Sequence, residues 1–465
     1  MRERMPRILK IEKSKLNIGK GRRVRLTLPA ICLFQFSIFN SLALSIPRAE
    51  VLTLDHALSI ALDSNRTYRI SVLEARSAAD AVSWGEAGAL PKVDATASYV
   101  KSVNDTRQVR VNAAPEVKNG AESTAKLAGL TGNWTVFEGL SSVAAHKRLS
   151  ATGSIYDERR KAVRQGLAAQ VIQVYGDVVR QRAILAAMDS TVALSQERVK
   201  ITKGKYGFGG VSKLELLQAQ LDLNADLSAR LRQSLALADA KRGLNRLLAR
   251  DEASAFESED SIPLAPAPDM AALRNHAMEA SPAIRQAELG RALASAAYRE
   301  YVGKLFPAVG LSLGYNYSLS ESQAGLVREN EAAGLSYGVN VRMNLFDGFS
   351  VRDDWLRARR SMAQADLGYD DAKAGMEGAL AEADQSYRAS LEVLALETAN
   401  VGLARENMAI AMERLRLGTI ASLELRAAQE KFVGAETRLV SARFESKRAE
   451  TELLRLAGRL GTAVR

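Results

Sequence analysis

Two stretches of strict alternation break a chain whose other hydrophobic residues recur at helical spacing. Val309, Leu311, Leu313, Tyr315 and Tyr317 alternate with Gly310, Ser312, Gly314, Asn316 and Ser318. Leu335, Tyr337, Val339, Val341 and Met343 then alternate with Ser336, Gly338, Asn340 and Arg342. A period of two gives each strand one apolar and one polar face. A weaker pair lies earlier, with Val93, Ala95, Ala97 and Tyr99 going out and Leu130, Gly132, Trp134 and Val136 coming back. Four strands of about ten residues are expected, the length and dyad pattern of membrane-barrel strands with lipid on one side and water on the other. An ordinary half-buried hairpin gives the same alternation.

Each strand pair leads into a very long helix. From Gly139 to Gly207 and from Gly348 to Arg416 no proline occurs, and about 68 residues at 1.5 Å each reach roughly 100 Å. Tyr387, Leu391, Leu394, Thr398, Val401, Met408, Ala411 and Leu415 form a helical stripe, as do Val171, Tyr175, Val178, Leu185, Met188 and Val192. Such stripes pack helix on helix. Opening helices are expected from about Asp55 to Ala89 and Met270 to Leu305, stopping at Pro91 and Pro307, with return helices from about Lys213 to Ala249 and Leu423 to Leu460. Each is near half the long-helix length, so two stacked end to end match one long helix.

The pattern is said twice. Thr135-Val136-Phe137-Glu138-Gly139 returns as Asn344-Leu345-Phe346-Asp347-Gly348, and Gly209 with Leu214-Glu215-Leu216 returns as Gly418 with Leu423-Glu424-Leu425, both 209 residues on. Internal repetition on this scale points to a duplicated unit. The expected organisation is a signal peptide at 1–49, a first repeat at 50–250, an acidic, proline-bearing surface linker at 251–269 and a second repeat at 270–465. The fold class is mainly α with a β part.

The formal charge of +11 is misleading as a nucleic-acid signal, because residues 1–49 hold 11 of the 64 Lys+Arg and 2 of the 53 Asp+Glu. A basic head before an apolar run from Leu26 to Ile46 is the order of a secretory signal, cleaved between Ala43 and Ala49, with Met5 a second candidate start. An uncleaved anchor helix has the same length. Cys32, the single cysteine, lies inside that run, so a cleaved chain has no disulfide or thiol chemistry. His56, His146 and His276 have no ligand-spaced partner. No phosphate loop or dinucleotide fingerprint is present, so neither an enzyme nor a cofactor is expected.

Leu90-Pro91-Lys92-Val93 and Phe306-Pro307-Ala308-Val309, Phe137-Glu138-Gly139 and Leu345-Phe346-Asp347-Gly348-Phe349, and the turns at 205–220 and 414–429 together resemble the TolC-like outer-membrane channel proteins, the outer membrane factor family. The resemblance implies a homotrimer: a twelve-stranded outer-membrane barrel continued by a helical coiled-coil tunnel across the periplasm. It also implies a passive exit duct for protein secretion or drug efflux, joined to a periplasmic adaptor and an inner-membrane ABC or RND-type pump. Secreted scaffolds and periplasmic adaptors are also rich in helical hairpins, but a scaffold needs no alternating strands and an adaptor needs a lipoyl-like β domain.

Candidate site residues follow. Gly209, Gly210, Val211, Ser212 and Leu214, with Gly418, Thr419, Ile420, Ser422 and Leu423, form the two far turns, which in the family meet the adaptor. Ser212 or Ser422 can cap the return helix. Glu215 and Glu424 sit one turn past the tips, where threefold repetition would concentrate negative charge at a pore mouth; a solvated helix-start carboxylate is the plainer reading. Glu424 matches the first of the family's two pore acids, and Ala427 stands at the second. The family's closed-mouth latch positions fall at Leu415 and Ile420, so that latch is missing. Pro91, Phe137, Gly139, Pro307, Phe346 and Gly348 mark the strand–helix switches, and Tyr99, Trp134, Tyr315, Tyr317 and Tyr337 are candidate lipid-face aromatics.

Overall fold

The structure, a computed structural model, describes residues 50–460 apart from 110, 112–113 and 265–267. The predicted signal segment, with Cys32, lies outside the described residues. From there one order of elements runs twice: α1 (Leu54–Ser64), α2 (Arg66–Asp80), β2 (Lys92–Gln108), β3 (Glu116–Glu138), α3 (Ser141–Gly207) and α4 (Lys213–Leu247), then α5 (Met270–Ala280), α6 (Pro282–Gly303), β5 (Ala308–Ser322), β6 (Glu329–Arg342), α7 (Ser350–Leu417) and α8 (Ser422–Leu456). Two short strands, β1 (Glu50–Leu52) and β4 (Phe256–Ser258), pair with each other. The long helices α3 and α7 have 67 and 68 residues, as the proline-free runs predict, and α4 and α8 have 35 each.

The opening helices differ from expectation, since each is broken in two. Asn65 ends α1 through its backbone N–H to the Ala61 carbonyl and starts α2 by accepting the Tyr68 N–H at 3.2 Å. Its side chain also donates to the Leu247 carbonyl at 3.1 Å, so the break is tied to α4. In the second run Pro282 opens α6 and holds Ser281 extended. Pro91 is therefore not the helix breaker it was expected to be: α2 has already ended at Asp80, and a turn segment intervenes.

The strands are longer than about ten residues, at 17, 23, 15 and 14. They form one antiparallel sheet in the order β2-β3-β5-β6. Register carries the alternation across all four: Val93 faces Gly132, Trp134 faces Leu311, Leu130 faces Tyr315, and Leu313 and Tyr315 face Tyr337 and Leu335. One bulge corrects the sequence reading. The ladder slips between Thr135 and Phe137, so Phe137, not Val136, lies opposite Val309 on the apolar face.

The polar face is built on glycine opposite a short polar residue. Gly129 faces Asn316, Gly310 faces Asn340 and Gly314 faces Ser336. A Cβ on Gly129 would lie 2.4 Å from Asn316 Oδ1, so the asparagine fills the space that the glycine leaves.

The helices pack side by side. In the half towards the turns the order is α4, α3, α8, α7; towards the sheet it is α2, α3, α6, α7. Near the middle of α3, the join between the runs is anchored rather than simply surface-borne. Phe256 of β4 is 1% exposed and packs with Leu52, Val171, Tyr175, Leu244 and Leu248. Buried Asn245 donates to the carbonyls of Glu252 and Ser254 at 3.2 and 2.9 Å. The Tyr175 hydroxyl donates to the Leu52 carbonyl at 2.7 Å and accepts the Glu259 N–H at 3.0 Å. Burial pushes this phenol up to about 12, so it stays a donor at any physiological pH.

Tyr175→Phe leaves a buried carbonyl and N–H without their partner, and a loss of about 1–3 kcal/mol is expected in urea unfolding. The native phenol pKa lies above the unfolded value of about 10, so its contribution is complete below pH 10 and disappears towards pH 12. The gap between wild type and Tyr175→Phe should close over that window.

Candidate functional site

The two far turns come together at one end of the helical row. Gly209 and Gly418 have φ of +75° and +77°, the left-handed conformation that ends α3 and α7. Gly210 and Thr419 then donate back to the carbonyls of Lys205 and Arg414 at 2.8 and 2.9 Å. Ser212 caps α4 by accepting the Glu215 N–H at 3.2 Å. Ser422 does not do the same for α8: Ala421 holds the N-cap position, and Ser422 is the first helical residue, buried. Lys205 Nζ donates to the Leu415 carbonyl at 2.6 Å and so ties one turn to the other.

Gly210, Val211 and Glu215 from the first turn share one open recess with Gly418, Thr419, Ile420, Ser422 and Glu424 from the second. The two acids predicted for a mouth therefore line the same space. Both carboxylates sit in the first turn of a helix, where the dipole favours negative charge. Around the recess, Phe208, Leu214, Leu417 and Leu423 are exposed, an apolar rim on an otherwise polar end.

Behind the tips lies a buried polar cluster that sequence reasoning missed. Arg426 of α8 pairs with Asp226 of α4 at 2.7 Å and with Glu430 at 2.8 Å. Asp226 also accepts the Ser195 hydroxyl from α3, and Gln429 donates to Ser195 Oγ at 2.7 Å and to the Thr191 carbonyl at 3.2 Å. Arg198, 1% exposed, pairs with Asp222 beside them. Burial alone would pull the Arg426 guanidinium down, but the hydrogen bond and charge of Asp226 outweigh it and hold it above its ordinary value. Three helices from both runs are thus joined by one clasp. The available signal was asymmetry: 209 residues on from Asp226 stands Ala435, and 209 before Arg426 stands Leu217.

At the strand–helix switches each glycine is followed by a second left-handed residue. Gly139 and Leu140 have φ of +59° and +65°, Gly348 and Phe349 +70° and +71°. The non-glycine pair was not legible beforehand. Gly139 has a further reason: a Cβ there would stand 2.2 Å from the Gly303 carbonyl oxygen, where α6 ends against the switch. The acids before the glycines bond to the first turn of each long helix, Glu138 accepting the Ser141 hydroxyl at 2.8 Å and Asp347 the Val351 N–H at 2.9 Å. Phe346 packs edge-on against Phe349 at 5.5 Å, and Pro307 directly precedes β5. Of the aromatics expected on a lipid face, Tyr99, Trp134, Tyr315 and Tyr337 are exposed on the apolar face of the sheet, and Tyr317 lies half-buried on it. Trp134 Nε1 donates to the Ala89 carbonyl at 2.9 Å.

Among the described residues no helix is long and apolar enough to cross a membrane, and no cluster of His, Cys, Asp or Glu could hold a metal. A one-sided apolar sheet standing on paired hundred-ångström helices is the subunit architecture of an outer-membrane channel. The chain belongs to the outer membrane efflux protein family, whose sequence profile matches residues 57–250 and 273–459. Each matched segment covers all but the first few residues of one run of the elements. The chain is 26% identical over 339 residues to Protein CyaE of Bordetella pertussis, covering 70% of this chain and 69% of that protein. Its fold is similar to that of the outer-membrane channel OprN, with a TM-score of 0.73, 20% identity and 87% and 89% of the two chains covered. The Campylobacter jejuni CmeC outer membrane channel gives a TM-score of 0.75 at 15% identity, covering 87% and 85%. This is a family of outer-membrane efflux and secretion channels, not of enzymes.

Asp226→Ala and Arg426→Ala should each destabilise the folded chain by about 3–5 kcal/mol, because each strands a buried charge. Replacing both together with apolar residues should recover most of that loss. A double-mutant cycle in chemical denaturation reads the coupling; additive losses would show that the pair is not a unit.

Proposed function

We propose that three copies of the mature chain close into a ring, giving a twelve-stranded barrel in the outer membrane and a coiled-coil tunnel beneath it, and that this ring is the passive exit duct of a tripartite export machine. The observation that carries the reading is a pair of open edges at matching ends of the chain. In the sheet, β2 and β6 each have one unpaired side. In the helical row, α4 and α7 are the outer members.

Both helical edges carry unsatisfied apolar stripes. On α7, Leu396, Leu403, Ile410 and Leu417 are exposed at seven-residue steps, while Val401, Met408 and Leu415 are buried against their own chain. On α4, Leu214, Leu217, Leu221, Leu227, Leu231 and Leu235 are exposed. A seven-residue repeat is the seam of a coiled coil looking for its partner. Joining α7 of one copy to α4 of the next, with β6 joined to β2, makes a head-to-tail contact that closes as a ring. Lipid requires that closure, because unpaired backbone groups in hydrocarbon cost several kcal/mol each. Tyr337 at 84% and Val339 at 70% exposure suit lipid and not water, which disfavours a soluble scaffold.

The finer assignments follow from the ring. Glycine paired with asparagine and serine gives the lumen a narrow, wet wall. Glu215 and Glu424, repeated by threefold symmetry, form a cation-favouring mouth at the periplasmic end. The tip residues outside the seam, with Phe208 and Leu423 exposed among them, dock a periplasmic adaptor, and an ABC or RND-type pump in the inner membrane supplies the energy. Residues 1–49 act as the cleaved export signal, and residues 251–269 join two copies of a duplicated unit. The ring needs no cofactor or nucleic acid.

Leu403→Asp with Ile410→Asp should turn a three-copy species into monomers in native mass spectrometry while leaving helical circular dichroism unchanged, since each charge is buried at an interface at a cost of several kcal/mol. A three-copy species that survives both substitutions would remove α7 from the seam. Reconstituted wild type should give discrete conductance steps in planar bilayers. Glu215→Gln with Glu424→Gln should lower its preference for cations; unchanged selectivity would take both acids out of the mouth.

A further inference from the structure

Midway along the row, α3 and α8 part to leave an open cleft roofed by residues 260–262 of the join. Gly176 makes the depth: a Cβ there would meet the Phe444 ring at 3.1 Å and Ile262 at 3.5 Å. The walls are apolar, from Ile172, Val179, Ile262, Val440 and Phe444, and the rim is cationic.

The charges on that rim are not equivalent. Arg180 pairs with Asp177 at 2.5 Å and lies 5.1 Å above the Phe444 ring; Lys447 pairs with Glu450 at 3.1 Å; Arg448 pairs with Glu445 at 2.6 Å. The one lining acid, Asp260, is already matched by Arg182 at 2.9 Å. Arg443 is left over, exposed at the rim and with no acidic partner among the described residues. A guanidinium with unused donors beside an apolar slot is complementary to a molecule with one anionic head and one apolar body.

We propose that this cleft binds an amphipathic organic anion, its apolar part between Phe444, Ile172 and Ile262 and its carboxylate or phosphate on Arg443. The chemistry of the site is independent of assembly. Its accessibility rests on the ring reading, in which sister chains attach at α4 and α7 and leave the α3–α8 groove uncovered. The same head-and-tail chemistry comes from membrane lipid or from a soluble carboxylate.

Native mass spectrometry of the full mature chain in a nonionic detergent tests this, because one spectrum reports copy number and bound mass together. Decanoate is the probe, with decanol and inorganic phosphate as its separate halves. Decanoate should bind saturably at one per chain, decanol and phosphate at least tenfold more weakly. Arg443→Gln should weaken decanoate about tenfold, the loss of one charge-assisted contact. Arg438→Gln, which removes an exposed arginine on the same helix already paired with Glu397, should leave binding unchanged. An acyl lipid mass carried through extraction from membranes assigns the natural ligand to lipid, and an empty cleft that takes up decanoate assigns it to the soluble pool. Equal binding of decanol, equal binding of phosphate, no saturable binding, or an unaffected Arg443→Gln variant each overturns the proposal. Loss of the three-copy species with decanoate binding intact would count against the ring alone.

Discussion

A backbone N–H or C=O cannot be left unpaired in hydrocarbon, and the ring proposed for this chain follows from that rule. Four strands satisfy one another at three seams and leave β2 and β6 open on their outer sides. In the proposed barrel, where the apolar face meets lipid, a single chain therefore requires sister chains. The helices repeat the demand in different chemistry, since α4 and α7 hold exposed leucine stripes at the two ends of their row. In the proposed ring both kinds of edge are satisfied by the same rotation.

The two runs of elements are alike in outline and unlike where contacts are specific. The strand–helix switches match closely, each placing an acid, a glycine and a left-handed bulky residue in succession. The tips match less well, because Ser212 caps its helix and Ser422 does not. The clasp does not match at all: Asp226 belongs to the first run and Arg426 to the second, and their counterparts are Ala435 and Leu217. Buried ionic pairs contribute little net stability against apolar packing, while breaking one by removing a single partner is costly. The clasp thus joins α3 and α4 of the first run to α8 of the second through residues that the other run does not repeat. Lys205, reaching the end of α7, does the same at the tip.

Much of this was legible in the sequence because long-period patterns survive tertiary packing. Absence of proline located α3 and α7 nearly to the residue, and a period of two located all four strands, though not their full lengths, and the face of their alternating residues except at the bulge. The misreadings have local causes. The bulge at Val136 shifts one residue without changing composition, so strict alternation put Val136 where Phe137 belongs. Asn65 breaks an alanine-rich helix by offering its side chain as a cap, a choice decided partly by its bond to Leu247 in a distant helix. The join reads as acidic surface, yet Phe256 within it is buried because β1 offers a strand to pair with. In the candidate site the glycines and acids were visible as repeated motifs. Arg426, Asp226, Ser195 and Gln429 were not, because a contact between helices leaves no mark on either stripe alone.

Disulfide scanning along the outer sides of β2 and β6 tests the central claim most directly, with cysteines introduced into a chain whose single native cysteine, Cys32, is replaced by serine. Oxidation in outer-membrane preparations should link β6 of one copy to β2 of the next at matching depths and build a covalent ladder that stops at three chains. Failure of every β2–β6 pair to cross-link, or a ladder that closes at another number, would contradict the ring.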